Sequence, residues 1–172
     1  MRMQTLTQLV SRLQSRGEAA FPTSSRWLVR EPSPWQPPEA NARMTMPIIP
    51  ASALLAGSEA LVVELQPSPS NAPITLGRAE TNDVVINDGT LSKLHLHFNP
   101  NSVGWEVEDV GSYNGTVLDG VKLVANLTRP LRDGVLLRAG TVEMSFHDTP
   151  GLLVRLRTTA GRPRGTSSSP PR

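Results

Sequence analysis

The sequence predicts an all-β sandwich over residues 59–157, and three observations lead there. Short apolar runs alternate with polar residues at a period of two, turn residues recur between the runs, and no amphipathic helix interrupts the series.

Leu61-Val62-Val63-Glu64-Leu65 reads as the first strand of this stretch, and Ile74-Thr75-Leu76 alternates into Gly77. Val84-Val85-Ile86 is a short β-branched run. Leu94, Leu96 and Phe98 are expected on one strand face, with His95, His97 and Asn99 on the other. Trp105 and Val107 alternate with Glu106 and Glu108; Val142, Met144 and Phe146 alternate in the same way, as do Leu152, Val154 and Leu156. Asn87-Asp88-Gly89, Asn99-Pro100-Asn101, Asp119-Gly120 and Asp133-Gly134 supply the turns.

The flanks have a different texture. Met3, Leu6, Val10 and Leu13 share one stripe of a short amphipathic helix over residues 1–17, with Thr5 or Thr7 as cap and Gly17 as stop. A helix this short needs a partner surface or it frays. Residues 18–58 read as a Pro-rich linker, since residues 21–50 alone hold seven prolines. Within it, Trp27-Leu28-Val29 is either a short strand or a sticky linear motif, with a linker packed loosely on the domain as the simpler reading. Residues 158–172 are Ser, Thr, Pro, Gly and Arg with almost no apolar content, and are expected to be disordered.

Composition narrows the function. The chain has 172 residues and no cysteine, which excludes a disulfide framework, a thiolate metal site and a thiol nucleophile. No apolar run is long enough to span a bilayer and no secretory signal is evident, so a soluble, cytoplasmic protein without membrane contact is expected. Residues 47–157 carry eight basic against twelve acidic residues, whereas both flanks are basic. An acidic body with few aromatics argues against a nucleic-acid partner. Any cationic site in the body is a small local cluster.

That cluster is visible in three blocks: Gly77-Arg78, Ser92-Lys93-Leu94-His95, and Gly111-Ser112-Tyr113-Asn114-Gly115-Thr116. An arginine offers a forked donor pair to phosphate oxygens, a serine a neutral hydroxyl, and a lysine a mobile charge. A Ser92/His95/Asp109 triad exists on paper, but no nucleophile elbow accompanies it, and no catalytic residue is assigned. His95, His97 and His147 lack metal-ligand spacing, so neither metal nor cofactor is expected.

In order and spacing, these blocks resemble the forkhead-associated (FHA) family. The resemblance runs through Gly77-Arg78, Thr81-Asn82-Asp83-Val84-Val85-Ile86, Ser92-Lys93-Leu94-His95, Asp109 to Thr116, Asp119-Gly120, Leu131-Arg132-Asp133-Gly134 and Ala139-Gly140. It implies an FHA-like sandwich of about eleven strands whose loops at one end grip a phosphothreonine peptide. By the same resemblance Arg78, Ser92, Lys93, Tyr113 and Asn114 contact the phosphopeptide, while Gly77, His95 and Gly115 brace the loops. Lys93 stands where the family often has arginine or asparagine, and Tyr113 where it commonly has serine or threonine.

The function expected is a phosphothreonine-dependent binding module, not an enzyme, downstream of a Ser/Thr kinase. The alternative is a phospho-independent structural adaptor that assembles through the sandwich and the N-terminal stripe. Self-association is a third expectation, through a phosphorylated threonine in a flexible flank: Thr5, Thr7, Thr23, Thr158, Thr159 or Thr166.

Overall fold

The computed structural model describes residues 3–32 and 59–160. In chain order the elements are β1 (Met3–Thr5), α1 (Leu6–Arg16), a short 3-10 turn (Glu18–Ala20), β2 (Arg26–Arg30), β3 (Leu61–Leu65), β4 (Ile74–Gly77), β5 (Val84–Val85), β6 (Leu96–Pro100), β7 (Trp105–Asp109), β8 (Thr116–Leu118), β9 (Val121–Lys122), β10 (Arg129–Leu131), β11 (Val135–Ala139), β12 (Val142–Asp148) and α2 (Thr149–Ala160). The all-β sandwich expectation holds. One sheet has the order β1-β3-β2-β12-β11-β8-β9 and the other β10-β7-β6-β4-β5. All pairings are antiparallel except β4 with β5.

The sandwich core lies between the sheets, where Leu76, Leu96, Phe98, Val107, Leu137, Met144 and Phe146 are buried. A second core lies on the outer face of the larger sheet, under α1 and α2. Strand alternation connects the two: in β2, Leu28 points into the sandwich, whereas Trp27 and Val29 point outward to the helices. Trp27 is 1% exposed, and its indole N–H donates to Thr149 Oγ1 at 3.0 Å.

The flanks differ from expectation in four ways. First, Arg26–Arg30 is not linker but a central strand, paired with β3 on one side and β12 on the other. Proline density hid it, because Trp27-Leu28-Val29 is short and its two faces serve different cores. The rest of the linker reading, residues 33–58, lies outside the described residues.

Second, α1 neither frays nor presents a free stripe. Thr5 and Gln8 form a reciprocal capping box, and Gly17 closes the helix by donating to the Leu13 carbonyl. Leu6 and Leu9 are buried against Phe21, Trp27, Val62 and the leucines of α2, with Val10 and Leu13 packed beside them. Of the stripe that motivated an adaptor, Leu6, Val10 and Leu13 are thus covered by the chain itself, whereas Met3 lies outside the helix in β1, paired with Val63, and is 37% exposed.

Third, Leu152, Val154 and Leu156 are not a strand. Asp148 Oδ1 accepts from the Gly151 N–H and caps a helix whose first turn accommodates Pro150. Leu152, Leu153 and Leu156 face the second core, while Val154 is exposed. A leucine-valine-leucine alternation mimics a strand when the intervening Leu153 is left out. Arg155 of this helix pairs with Glu31 at 2.7 Å, and both bond Ser145 Oγ on β12. Residues 158–160 of the expected disordered tail belong to α2, and residues 161–172 lie outside the described residues.

Fourth, most of the threonines proposed as flexible phosphorylation sites are ordered. Thr5 caps α1 and Thr7 lies within it, and the hydroxyls of Thr158 and Thr159 bond the Val154 and Arg155 carbonyls in α2. Thr23 sits in the turn before β2, where its carbonyl accepts from Arg26, and Thr166 lies outside the described residues.

Candidate functional site

Three loops meet at one end of the sandwich: β4–β5 with Arg78, β5–β6 with Ser92 to His95, and β7–β8 with Ser112 to Gly115. Backbone hydrogen bonds join the first two. The Arg78 N–H donates to the Ser92 carbonyl at 3.0 Å, and the Ala79 N–H to the Lys93 carbonyl at 3.1 Å. Asn82 Nδ2 donates to the carbonyls of both Lys93 (2.6 Å) and Ala79 (2.7 Å). Gly77 allows this approach, because a Cβ there would sit 2.3 Å from the Lys93 carbonyl oxygen, a backbone atom that cannot swing away.

The third loop is tied to the second at two points. The Tyr113 N–H donates to Ser92 Oγ at 3.0 Å, and Asn114 Nδ2 donates to the Thr90 carbonyl at 2.7 Å. With Oγ accepting from Tyr113, the Ser92 hydroxyl keeps its own hydrogen to donate. Asn114 keeps its Oδ1 acceptor and a second N–H.

Beneath these contacts sits Asp109, 3% exposed, at the end of β7. Its Oδ1 accepts from the N–H groups of Gly111 (3.0 Å) and Ser112 (2.7 Å), and its Oδ2 from the hydroxyls of Ser112 (2.8 Å) and Thr116 (2.6 Å). Gly115, at φ 75, completes the turn, and its N–H donates to Ser112 Oγ. The signal for Asp109 was present in the sequence: a short acceptor two and three residues before Gly111 and Ser112 is an Asx-turn pattern.

His95 is fully buried and precedes β6, whereas Leu94, expected on the core face, is 40% exposed. Its Nδ1 accepts from the Ser92 backbone N–H at 3.1 Å. That fixes the tautomer: the neutral ring carries its proton on Nε2, which faces Asp109 Oδ2 at 3.9 Å and the Gly115 carbonyl, too far for a strong hydrogen bond. Ser92 Oγ is not this ring's partner, so the three residues do not form a catalytic relay. Among the described residues no group of acidic residues and histidines is arranged to hold a metal ion.

Burial pushes the His95 pKa below the ordinary 6.5, against the opposing pull of Asp109 and the Gly115 carbonyl. At Asp109 burial works to raise the pKa, but the Thr116 hydroxyl, both Ser112 donors and His95 together hold it below 3.8. These shifts predict a two-stage acid response. As pH falls past 6.5 the unfolded chain takes up a proton that native His95 refuses, so stability drops. The Asp109 contribution is present above 3.8 and is lost as pH falls through its lower folded value. Urea midpoints measured from about pH 8 to about pH 3 should be flat at the top and fall in both windows. A midpoint unchanged between about pH 7 and about pH 5 contradicts the His95 assignment.

The sequence-predicted contact residues are arranged as follows. Arg78, Lys93, Tyr113 and Asn114 are exposed and Ser92 is half-buried. Among the described residues neither Arg78 nor Lys93 makes an ion pair. Tyr113 meets the other loops through its backbone, and its side chain is 94% exposed. The stretch Asp88 to Leu91, which leads from the Asn87-Asp88-Gly89 turn into Ser92, is held by hydrogen bonds. Thr90 Oγ1 donates to Asp88 Oδ1 at 2.6 Å and accepts from the Thr141 N–H at 3.0 Å, and its N–H bonds Asp88 as well. Thr90 is the residue that sequence reasoning missed: its partner Thr141 is 51 positions away.

Residues 74–140 match the FHA domain family. The FHA domain-containing protein FhaB of Mycolicibacterium smegmatis is 34% identical over 74 residues, 43% of this chain and 48% of FhaB. The oxoglutarate dehydrogenase inhibitor of Corynebacterium efficiens is 37% identical over 75 residues, 40% of this chain and 53% of that protein. The chain spans about half the length of these curated relatives. Among solved structures, the FHA domain of an Arabidopsis thaliana hypothetical protein aligns with a TM-score of 0.51 at 22% identity, over 73% of this chain and 86% of that one. Mycobacterium tuberculosis EmbR, solved in complex with a low affinity phosphopeptide, aligns with a TM-score of 0.51 at 18% identity, over 83% of this chain and 29% of EmbR. At these identities both structures show a shared fold.

Proposed function

Because residues 74–140 are an FHA domain, we propose that the chain binds phosphothreonine peptides and converts phosphorylation by a Ser/Thr kinase into recruitment. One observation carries the reading: Arg78 and Lys93, two exposed cations without ion pairs among the described residues, stand with Ser92 on loops that are hydrogen-bonded to one another. A phosphothreonine side chain brings about −1.5 to −2 charges and three acceptor oxygens, and these donors complement it. Asn114 supplies an acceptor and a donor for peptide backbone. His95, Asp109 and Thr90 hold the loops in place before ligand arrives, so binding costs little loop ordering. That no helix among the described residues is long and apolar enough to cross a membrane, and that the chain has no cysteine, suit action in the reducing cytoplasm.

Calorimetric titration with matched phosphothreonine, phosphoserine and unmodified peptides tests the proposal. Binding of the phosphothreonine peptide with none of the unmodified one is expected. Equal binding of all three overturns it.

A further inference from the structure

Building on the phosphopeptide reading, a further cation borders the same loops. Lys122 lies on β9, the short edge strand that returns against β8 through the turn at Asp119-Gly120. Both turn residues have positive φ (46 and 81), as a two-residue hairpin of this hand requires. The return aligns Lys122 with Val117 and bonds the Leu123 N–H to the Thr116 carbonyl. It also lays the lysine side chain along Gly115: a Cβ on that glycine would meet Lys122 Cε at 3.1 Å and Nζ at 3.7 Å. The ammonium group therefore stands beside the residue that follows Asn114.

Two more observations define its surroundings. Lys122 is exposed and makes no ion pair among the described residues. Arg138 occupies the same cross-strand row, one strand beyond Val117, and is also exposed. The shallow groove here is lined by Lys122, Val117, Leu136 and Arg138, with Glu31 and Glu143 at its far side. Glu143 faces Arg138 across the β11–β12 pair, and Glu31 is held by Arg155. Lys122 has no carboxylate as its own register partner, so of the two cations it is the one left for a ligand. It reaches the Asn114 loop from the larger sheet, whereas Arg78 and Lys93 lie on loops of the smaller one.

We propose that Lys122 forms a second anion subsite, which takes an acidic or phosphorylated side chain flanking the phosphothreonine in the bound peptide. Phosphate at the first site anchors the ligand, and Lys122 selects among phosphopeptides by their neighbouring charge.

The test uses the full chain and three peptides of one sequence. The first has a phosphothreonine with asparagine flanks, the second has aspartate flanks, and the third a second phosphoserine in one flank. In low salt the parent should prefer the aspartate-flanked peptide by about threefold, the scale of one exposed ion pair. Lys122→Ala should erase that preference while binding the asparagine-flanked peptide as the parent does. Lys122→Glu should invert it and Lys122→Arg should keep it. The doubly phosphorylated peptide shows whether the subsite favours phosphate over carboxylate. A ratio unchanged in Lys122→Ala and Lys122→Glu overturns the subsite. So does an equal loss in Arg16→Glu, which alters net charge at the end of α1. Failure of the parent to bind any of the three peptides overturns the phosphothreonine reading itself, and the subsite with it.

Discussion

Arg78→Ala removes phosphothreonine-peptide binding and leaves the unfolding transition where it was. The side chain is exposed and without an ion pair among the described residues, so its loss opens no cavity and strands no buried charge. The Arg78 backbone N–H, which joins its loop to Ser92, survives the change. What disappears is a forked donor to a dianion. Hydrogen bonds to charged groups contribute about 1.5–3 kcal/mol each, so losing a pair weakens binding by about a hundredfold or more. Arg78→Lys should recover only part of this, because an ammonium group keeps the charge but not the fork. Titration beside a thermal melt checks both halves. An Arg78→Ala protein that binds as the parent does refutes the phosphate assignment.

A chain lacking residues 1–58 fails to fold. Such a chain corresponds to the sandwich boundary that sequence texture suggests, yet it discards β2 from the middle of the larger sheet. Without β2, β3 and β12 each lose a full row of partners and the core loses Leu28. Trp27, Val29, Leu6 and Leu9 also go, and α2 then loses most of the surface it packs on, keeping Ala60 and Val62. Trp27→Ala in the full chain is the milder form of the same test. Truncating a buried tryptophan costs about 3–5 kcal/mol, a large share of the stability of a small domain. Here the change also leaves Thr149 without the indole donor. A truncated chain with a cooperative melt and dispersed amide resonances would refute the claim.

The two outcomes separate what was legible from what was not. Strands such as Trp105–Asp109 and Val142–Asp148 alternate cleanly because one face meets the sandwich core, and that period is written in the sequence. Arg26–Arg30 has apolar residues on both faces, since helices cover the outer side, so periodicity gives no signal. The α2 helix was obscured for a related reason: only its buried leucines distinguish it, and they are too few to establish a period. At the site, Arg78, Ser92 and Asn114 could be singled out because short contiguous blocks carry the resemblance to the FHA family. Lys122 and Thr90 could not, because the contacts that give them roles run through strand return and through Thr141.

The position of β2 also bears on how the molecule is made. Trp27 and Thr149 meet across 122 positions, and β2 cannot be sealed on its second edge until β12 exists. Topologies built on such distant pairings fold on the order of milliseconds to seconds rather than microseconds. During synthesis the N-terminal strand and its tryptophan therefore wait, apolar on both faces, while more than a hundred later residues emerge. The loops that carry Arg78, Ser92 and Asn114 are shorter-range structures by comparison. Protection of this early segment, which lies outside the matched family region, is therefore expected to bear on how much folded chain is recovered.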